Sequence, residues 1–177
     1  MTAVTRAEPA LLRWLDRLTL LANVCGSLLI LGLMVLIGID VLGRNLAGAP
    51  LSGVPELVSL SIVAIVFLQA PQALKSGRMT RSDALLNWVG SRRPGIKRSL
   101  ETLYDLLGMA VVAVIVSATW PIFTRAWERN EFVGAVGDFT APTWPVKAMI
   151  ILGGGLLTLQ FAARILRRFL GGADGRV

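Results

Sequence analysis

Charge in this chain is confined to the borders of four long apolar runs, and that pattern admits one kind of fold. No charged side chain interrupts the 22 residues from Leu18 to Ile39, the 18 from Leu57 to Leu74, the 19 from Leu106 to Thr124 or the 16 from Ala148 to Ala163. Arg17 and Asp40, Glu56 and Lys75, Asp105 and Arg125, and Lys147 and Arg164 border them. A helix rises about 1.5 Å per residue, so about 20 residues cross a hydrocarbon core of about 30 Å. The fourth run reaches that length once Trp144, Pro145 and Val146 join it and Lys147 snorkels to the interface. Lipid gives the backbone no hydrogen bonds, so each run must be a helix. The predicted fold is an all-α integral membrane protein, one domain over 1–177, with spans at about 18–39, 57–74, 106–124 and 144–163.

Composition supports this reading. With 54% hydrophobic residues and a mean hydropathy of +0.66, the chain carries more apolar surface than a soluble domain of 177 residues can hide. The basic excess follows the runs. Three Lys or Arg precede the first run, one separates the first two, seven fill the middle loop, three precede the fourth run and four follow it. Alternate segments therefore hold fourteen against four, which predicts cytoplasmic termini and a cytoplasmic middle loop. The same segments suit anionic membrane lipids, and no aromatic-basic interleaving or reader motif points to nucleic acid. Ala47-Gly48-Ala49 resembles a signal-peptide cleavage site. The first run is too long for such a peptide, however, and Asp40 and Arg44 intervene, so it reads as a retained span. Histidine is absent and Cys25 is the single cysteine, which excludes an intrachain disulfide and the usual haem, zinc and di-iron ligand sets. No phosphate loop or activated nucleophile is present, so neither an enzyme nor a cofactor is expected.

Shorter elements lie between the runs. Pro9 opens a segment with Leu11, Leu15 and Leu18 on one face and Trp14 at headgroup depth, an expected interfacial helix over about 9–17. Gly53 and Glu56 form half of a capping box that starts the second helix near Val54. Thr80 to Asp83 read as the cap of a second interfacial helix, about 82–90, carrying Leu85, Leu86, Trp88 and Val89. Pro94 begins a cytoplasmic lead-in over about 94–105, whose stripe of Ile96, Leu100, Leu103 and Leu107 runs into the third span. Trp120, Trp127 and Trp144 suit an aromatic belt on the opposite side.

Polar residues within the spans are the functional candidates. Asp40 and Arg44 stand four apart at the expected end of the first helix, the spacing of a local ion pair or of an intersubunit contact. If a local pair is their whole role, reversing both signs harms less than reversing either alone. Gln69 and Gln72 flank Pro71 and are placed to hydrogen-bond the carbonyl that the proline frees, or a neighbouring helix. Asn23 and Gln160 invite the same reading. Ala22 and Gly26, Ala113 and Ser117, and the Gly153-Gly154-Gly155 run offer small faces for close helix packing.

Several stretches, taken in order, resemble one family. They are Asp40-Val-Leu-Gly-Arg44-Asn45, Pro55-Glu56-Leu57, Phe67-Leu68-Gln69-Ala70, Arg81-Ser82-Asp83 and Pro142-Thr-Trp144-Pro145-Val-Lys147, followed by a Gly-rich fourth span ending in Gln160. Over about residues 10–170 the chain is similar to the small membrane subunit of TRAP transporters, the tripartite ATP-independent periplasmic uptake systems. The resemblance implies a four-helix inner-membrane subunit bound to a large membrane subunit, which carries the substrate and sodium sites and moves as an elevator. It further implies a periplasmic substrate-binding protein that delivers an organic solute, expected to be a carboxylate. This chain would act as scaffold, stabilising the large subunit and helping dock the binding protein. Asp40, Arg44, Glu56, Gln69, Arg81, Asp83, Trp144 and Lys147 are its expected interface or helix-placement residues. Met79 departs from the family, which often has His there. The residues alone leave open a homo-oligomeric channel or carrier, or a membrane anchor of another complex.

Overall fold

The computed structural model describes residues 10–77, 94–135, 137 and 139–171. Four helices dominate it: α1 (Ala10–Ala47), α2 (Val54–Lys75), α3 (Pro94–Glu128) and α4 (Trp144–Gly171). All four are long and apolar enough to cross a membrane. They run up and down in turn, so one end of the bundle gathers the starts of α1 and α3 and the ends of α2 and α4. We call this the basic end. At the other end a two-stranded antiparallel hairpin, β1 (Phe132–Ala135) and β2 (Phe139–Pro142), joins α3 to α4.

The expected interfacial helix at 9–17 and the first span form one continuous helix. No proline interrupts the stretch between Ala10 and Ala47, so the lead-in and the span share one helix axis. Leu12 is buried, and Leu11, Leu15 and Leu18 line a groove against Leu159, Ala163 and Leu166 of α4. At 38 residues, α1 is about 57 Å long. It also continues seven residues past Asp40, so the Asp40–Arg44 pair spans its last two turns, with Arg44 in the last. The other expected interfacial helix, at 82–90, lies outside the described residues.

Helix α1 meets the bundle along a single seam. Thr19, Ala22, Gly26, Leu29, Leu33, Leu36, Asp40 and Gly43 recur at alternating steps of three and four, and all are buried or half-buried. Apart from Asn23, every other residue from Leu20 to Leu46 is exposed. Such a repeat keeps one face toward a neighbour crossing at about 20°. That neighbour is α2, which packs between α1 and α4, while α4 in turn packs on α3.

Small residues set these approaches. A Cβ on Gly26 would stand 2.8 Å from Gln69 Cγ, and one on Gly154 would stand 2.6 Å from a methyl of Val116. The tightest contact is at Gly153, where a Cβ would fall 2.2 Å from the carbonyl oxygen of Phe67. Pro71 is four residues after Phe67 and has no N–H, so that carbonyl is the one the proline frees. Gln69 and Gln72 were expected to bond it or a neighbouring helix; among the described residues neither side chain forms a hydrogen bond, and the α4 backbone lies against that carbonyl. Below this point Leu74, Leu157 and Phe161 form the core, flanked by Ala70, Met109 and Val112. By contrast, the Ala113–Ser117 face is exposed.

Gly153→Ala is expected to force α2 and α4 apart and lower stability by about 1–3 kcal/mol. Gly155→Ala meets nothing within 4 Å and is expected to be neutral or mildly stabilising. Thermal unfolding of both variants in detergent checks the contrast.

Candidate functional site

Two polar clusters fix the bundle, one at each end. At the basic end Asp16 of α1 accepts from three partners. Lys75 Nζ of α2 lies at 3.0 Å, Arg167 Nη2 of α4 at 2.9 Å, and Gln160 Nε2 of α4 at 3.2 Å. Gln160 also donates to the buried Thr19 hydroxyl at 2.8 Å. On another face of the same turn of α4, Arg168 Nη2 meets Asp105 of α3 at 2.9 Å and Glu101 at 3.5 Å, and its Nη1 donates to Thr102 at 3.0 Å. Arg164 Nε stands 3.9 Å from the same Asp105 carboxylate. Asp105 is fully buried. Removing one partner of a buried pair costs about 3–5 kcal/mol, because the other charge is left stranded.

Few of these groups stood out in the sequence: Lys75, Asp105 and Arg164 served as borders, and Gln160 as a polar residue within a span. Asp105 and Arg164 mark the edges of runs, and the borders themselves are what pair. The signal available was spacing: Arg164, Arg167 and Arg168 cover two faces of one helical turn. Their partners lie about 60 and 150 residues away, a distance that no local pattern spans.

At the hairpin end the tie is lighter. Glu131 accepts from Lys147 Nζ at 2.7 Å, and its backbone carbonyl accepts from the Thr143 N–H at 3.0 Å and the Thr143 hydroxyl at 3.2 Å. Together they clamp the start of α4 to the end of α3. Trp144 stacks edge-on against Trp127, ring centroids 4.7 Å apart, in a line that continues through Phe123 to Trp120. The hairpin between the clamped ends places Phe139 over Gly53, whose φ of +81° turns the α1–α2 loop. A Cβ at Gly53 would fall inside the Phe139 ring, so the two loops interlock there. No strand was expected from the sequence. Gly134 and Gly137 weaken the strand pattern, and only four residues pair on each side.

The remaining candidates divide between the two ends. Asp40 is buried; one carboxylate oxygen accepts from Arg44 Nη2 at 2.9 Å, and the other accepts from the Leu51 N–H at 2.9 Å. The second bond changes the expectation for a sign exchange. Asp40 holds the α1–α2 loop through an acceptor, and no arginine can supply one. Glu56 lies in the first turn of α2, where its charge complements the helix N-terminus, and lines a shallow groove with Val133 of the hairpin. Gln69 packs over Gly26. Arg81 and Asp83 lie outside the described residues, as does Met79. Among the described residues no group of His, Cys, Asp and Glu is gathered to hold a metal ion.

The Lys147 ammonium, hydrogen-bonded to Glu131, holds its carboxyl below the ordinary 4.5; slight desolvation opposes this, and the charges of Lys147, Arg129 and Arg125 assist. A lowered pKa means that the clamp contributes fully above the ordinary value and is lost as pH falls through the lowered one.

The family model described as tripartite ATP-independent periplasmic transporters, DctQ component, matches residues 33–171. No curated protein and no solved structure matches the chain.

Two outcomes are expected at these clusters. Asp40→Arg combined with Arg44→Asp is expected to unfold at the same temperature as Asp40→Arg alone, with Arg44→Asp markedly milder. In the near-ultraviolet circular dichroism of the Trp127–Trp144 pair, the signal is expected to hold through pH 4.5 and weaken only below it. Lys147→Met should abolish that acid step, since Glu131 then has no ammonium partner in either state.

Proposed function

Because the chain belongs to the DctQ component family of the tripartite ATP-independent periplasmic transporters, we propose that this small membrane subunit serves as a fixed scaffold for the transporter's large membrane subunit. The family is one of transporter components and not of enzymes. One observation carries the scaffold reading: the charged groups gathered at the basic end, Asp16, Lys75, Asp105, Arg164, Arg167 and Arg168, are engaged by helices of this same chain. Asp16 ties α1 to α2 and α4, and Asp105 ties α3 to α4. A conducting protein needs polar groups turned toward a pathway. Here the intramembrane edges hold helices to each other, and the faces of α1 and α3 left exposed are apolar, suited to lipid or to a partner's helices.

The arrangement suggests a division of labour. The basic end faces the cytoplasm with both termini, following the distribution of Lys and Arg. Arg81 and Asp83 belong to that side. The hairpin end faces the periplasm, where Asp40, Arg44, Trp144 and Lys147 hold the loops in place. Glu56 and the hairpin offer a surface there that helps dock the binding protein. The large subunit carries the solute, expected to be an organic carboxylate, while this chain keeps its surroundings still.

Reconstitution tests this. Liposomes containing this chain alone are expected to take up no solute; those with the large subunit and the binding protein are expected to accumulate it. Ion-dependent flux through the chain alone overturns the scaffold reading. Crosslinks in native membranes that join only copies of this chain favour a homo-oligomeric channel instead.

A further inference from the structure

Three side-chain amides stand apart from the polar ties described above. Asn23 of α1 and Gln69 and Gln72 of α2 line one open notch of about 260 Å³, together with Ala73 and Ser76. Among the described residues these three side chains form no hydrogen bond, and Gln72 Oε1 is enclosed without a donor. Gln72 and Gln69 precede Lys75 by three and six residues, which puts them about 4.5 and 9 Å further into the apolar layer than the Lys75–Asp16 tie. Acyl chains cannot satisfy an amide at that depth. A lipid headgroup would sit level with Lys75, just under one turn short of Gln72 and nearly two turns short of Gln69.

The surface leading to the notch has the shape of a helix seat. On α2, Ser59, Ile62 and Val66 are exposed, and Gln69, Ala73 and Ser76 continue them at steps of three and four. On the flank of α1 beside it, Leu20, Asn23, Ser27, Ile30 and Met34 follow the same alternation. Two antiparallel stripes with that repeat form a seam into which the knobs of a third helix fit. The seam is apolar toward the hairpin end and polar toward the basic end.

We propose that this seam seats one transmembrane helix of the large membrane subunit, which presents a hydrogen-bond-donating side chain, hydroxyl or amide, opposite Gln72. The Gln72 amide lines the notch, and its oxygen has no donor among the described residues of this chain. The donor meets an acceptor that lipid cannot serve, which fixes the depth and rotation of the incoming helix. This inference rests on the scaffold reading above and adds the face by which the scaffold is held.

A benzophenone-bearing residue placed at position 66, in the seam, or at position 35, exposed on the opposite flank of α1, tests it in the full chain co-expressed with its large subunit. Illumination is expected to link position 66, and not position 35, to the large subunit. Gln72→Leu is expected to cut the large subunit retained on purification by about fivefold, while the variant chain alone keeps its thermal stability. If position 66 links to lipid, or to a second copy of this chain, while the large subunit still co-purifies, the seam assignment is wrong and the scaffold reading stands. If the unmodified chain fails to retain the large subunit at all, the scaffold reading falls and takes this inference with it.

Discussion

A carboxylate at the edge of the hydrocarbon layer has water on one side at most, and Asp16 and Asp105 meet that constraint through arginines of a single helix. Arg167 turns toward α1 and α2; Arg164 and Arg168 turn toward α3. The helix that carries them is thereby placed at the centre, and the others are hung from it. The close approach at Gly153, the core around Leu157 and Phe161, and the Gln160–Thr19 bond all lie along that same helix. Hydrophobic association does little to hold helices together in lipid, whose chains are as apolar as leucine, so packing at small residues and these ionic ties must do the specifying.

The four-helix fold was legible because lipid leaves a long apolar run no alternative to a helix. Helix starts at Pro94 and near Val54 were legible for local reasons, a proline with no N–H to lose and a glycine able to turn the chain. Other features needed the third dimension. A lead-in carrying Leu11, Leu15 and Leu18 has the same amphipathic pattern whether it rests on headgroups or on α4, and only the neighbouring helix decides. The hairpin escaped notice because four residues per strand, interrupted by glycine, carry too little alternation to read. In the candidate sites, Asp40 and Arg44 were visible as a pair at i, i+4, whereas the Leu51 N–H was hidden by the loop that separates it from them. The partners of Asp16 and Asp105 were in plain view as charges, with nothing local to show which would meet.

The two ends of the bundle are built differently. The basic end is bound by several charges shared among four helices. The hairpin end depends on the Lys147–Glu131 pair, an aromatic stack, the Asp40 bonds to Arg44 and the Leu51 N–H, and the seat of Phe139 on Gly53. The heavier ionic ties thus lie at the basic end, and the end that carries the hairpin is held by fewer and more exposed ionic contacts.

Helix α4 has the shortest apolar run of the four, 16 residues or about 24 Å, while α1 offers 22, or about 33 Å. A lone helix of the shorter length would pinch the bilayer around it. Here Lys147 and Arg164 find carboxylates on neighbouring elements, and a third of the most apolar stretch of α4 is buried, against none for α3. Its neighbours thus cover part of the short run, while Leu152, Leu159 and Leu166 still face outward. Where protein covers α4, the length mismatch is taken up by neighbouring helices and not by lipid, which lessens the pinch that a lone helix of this length would impose.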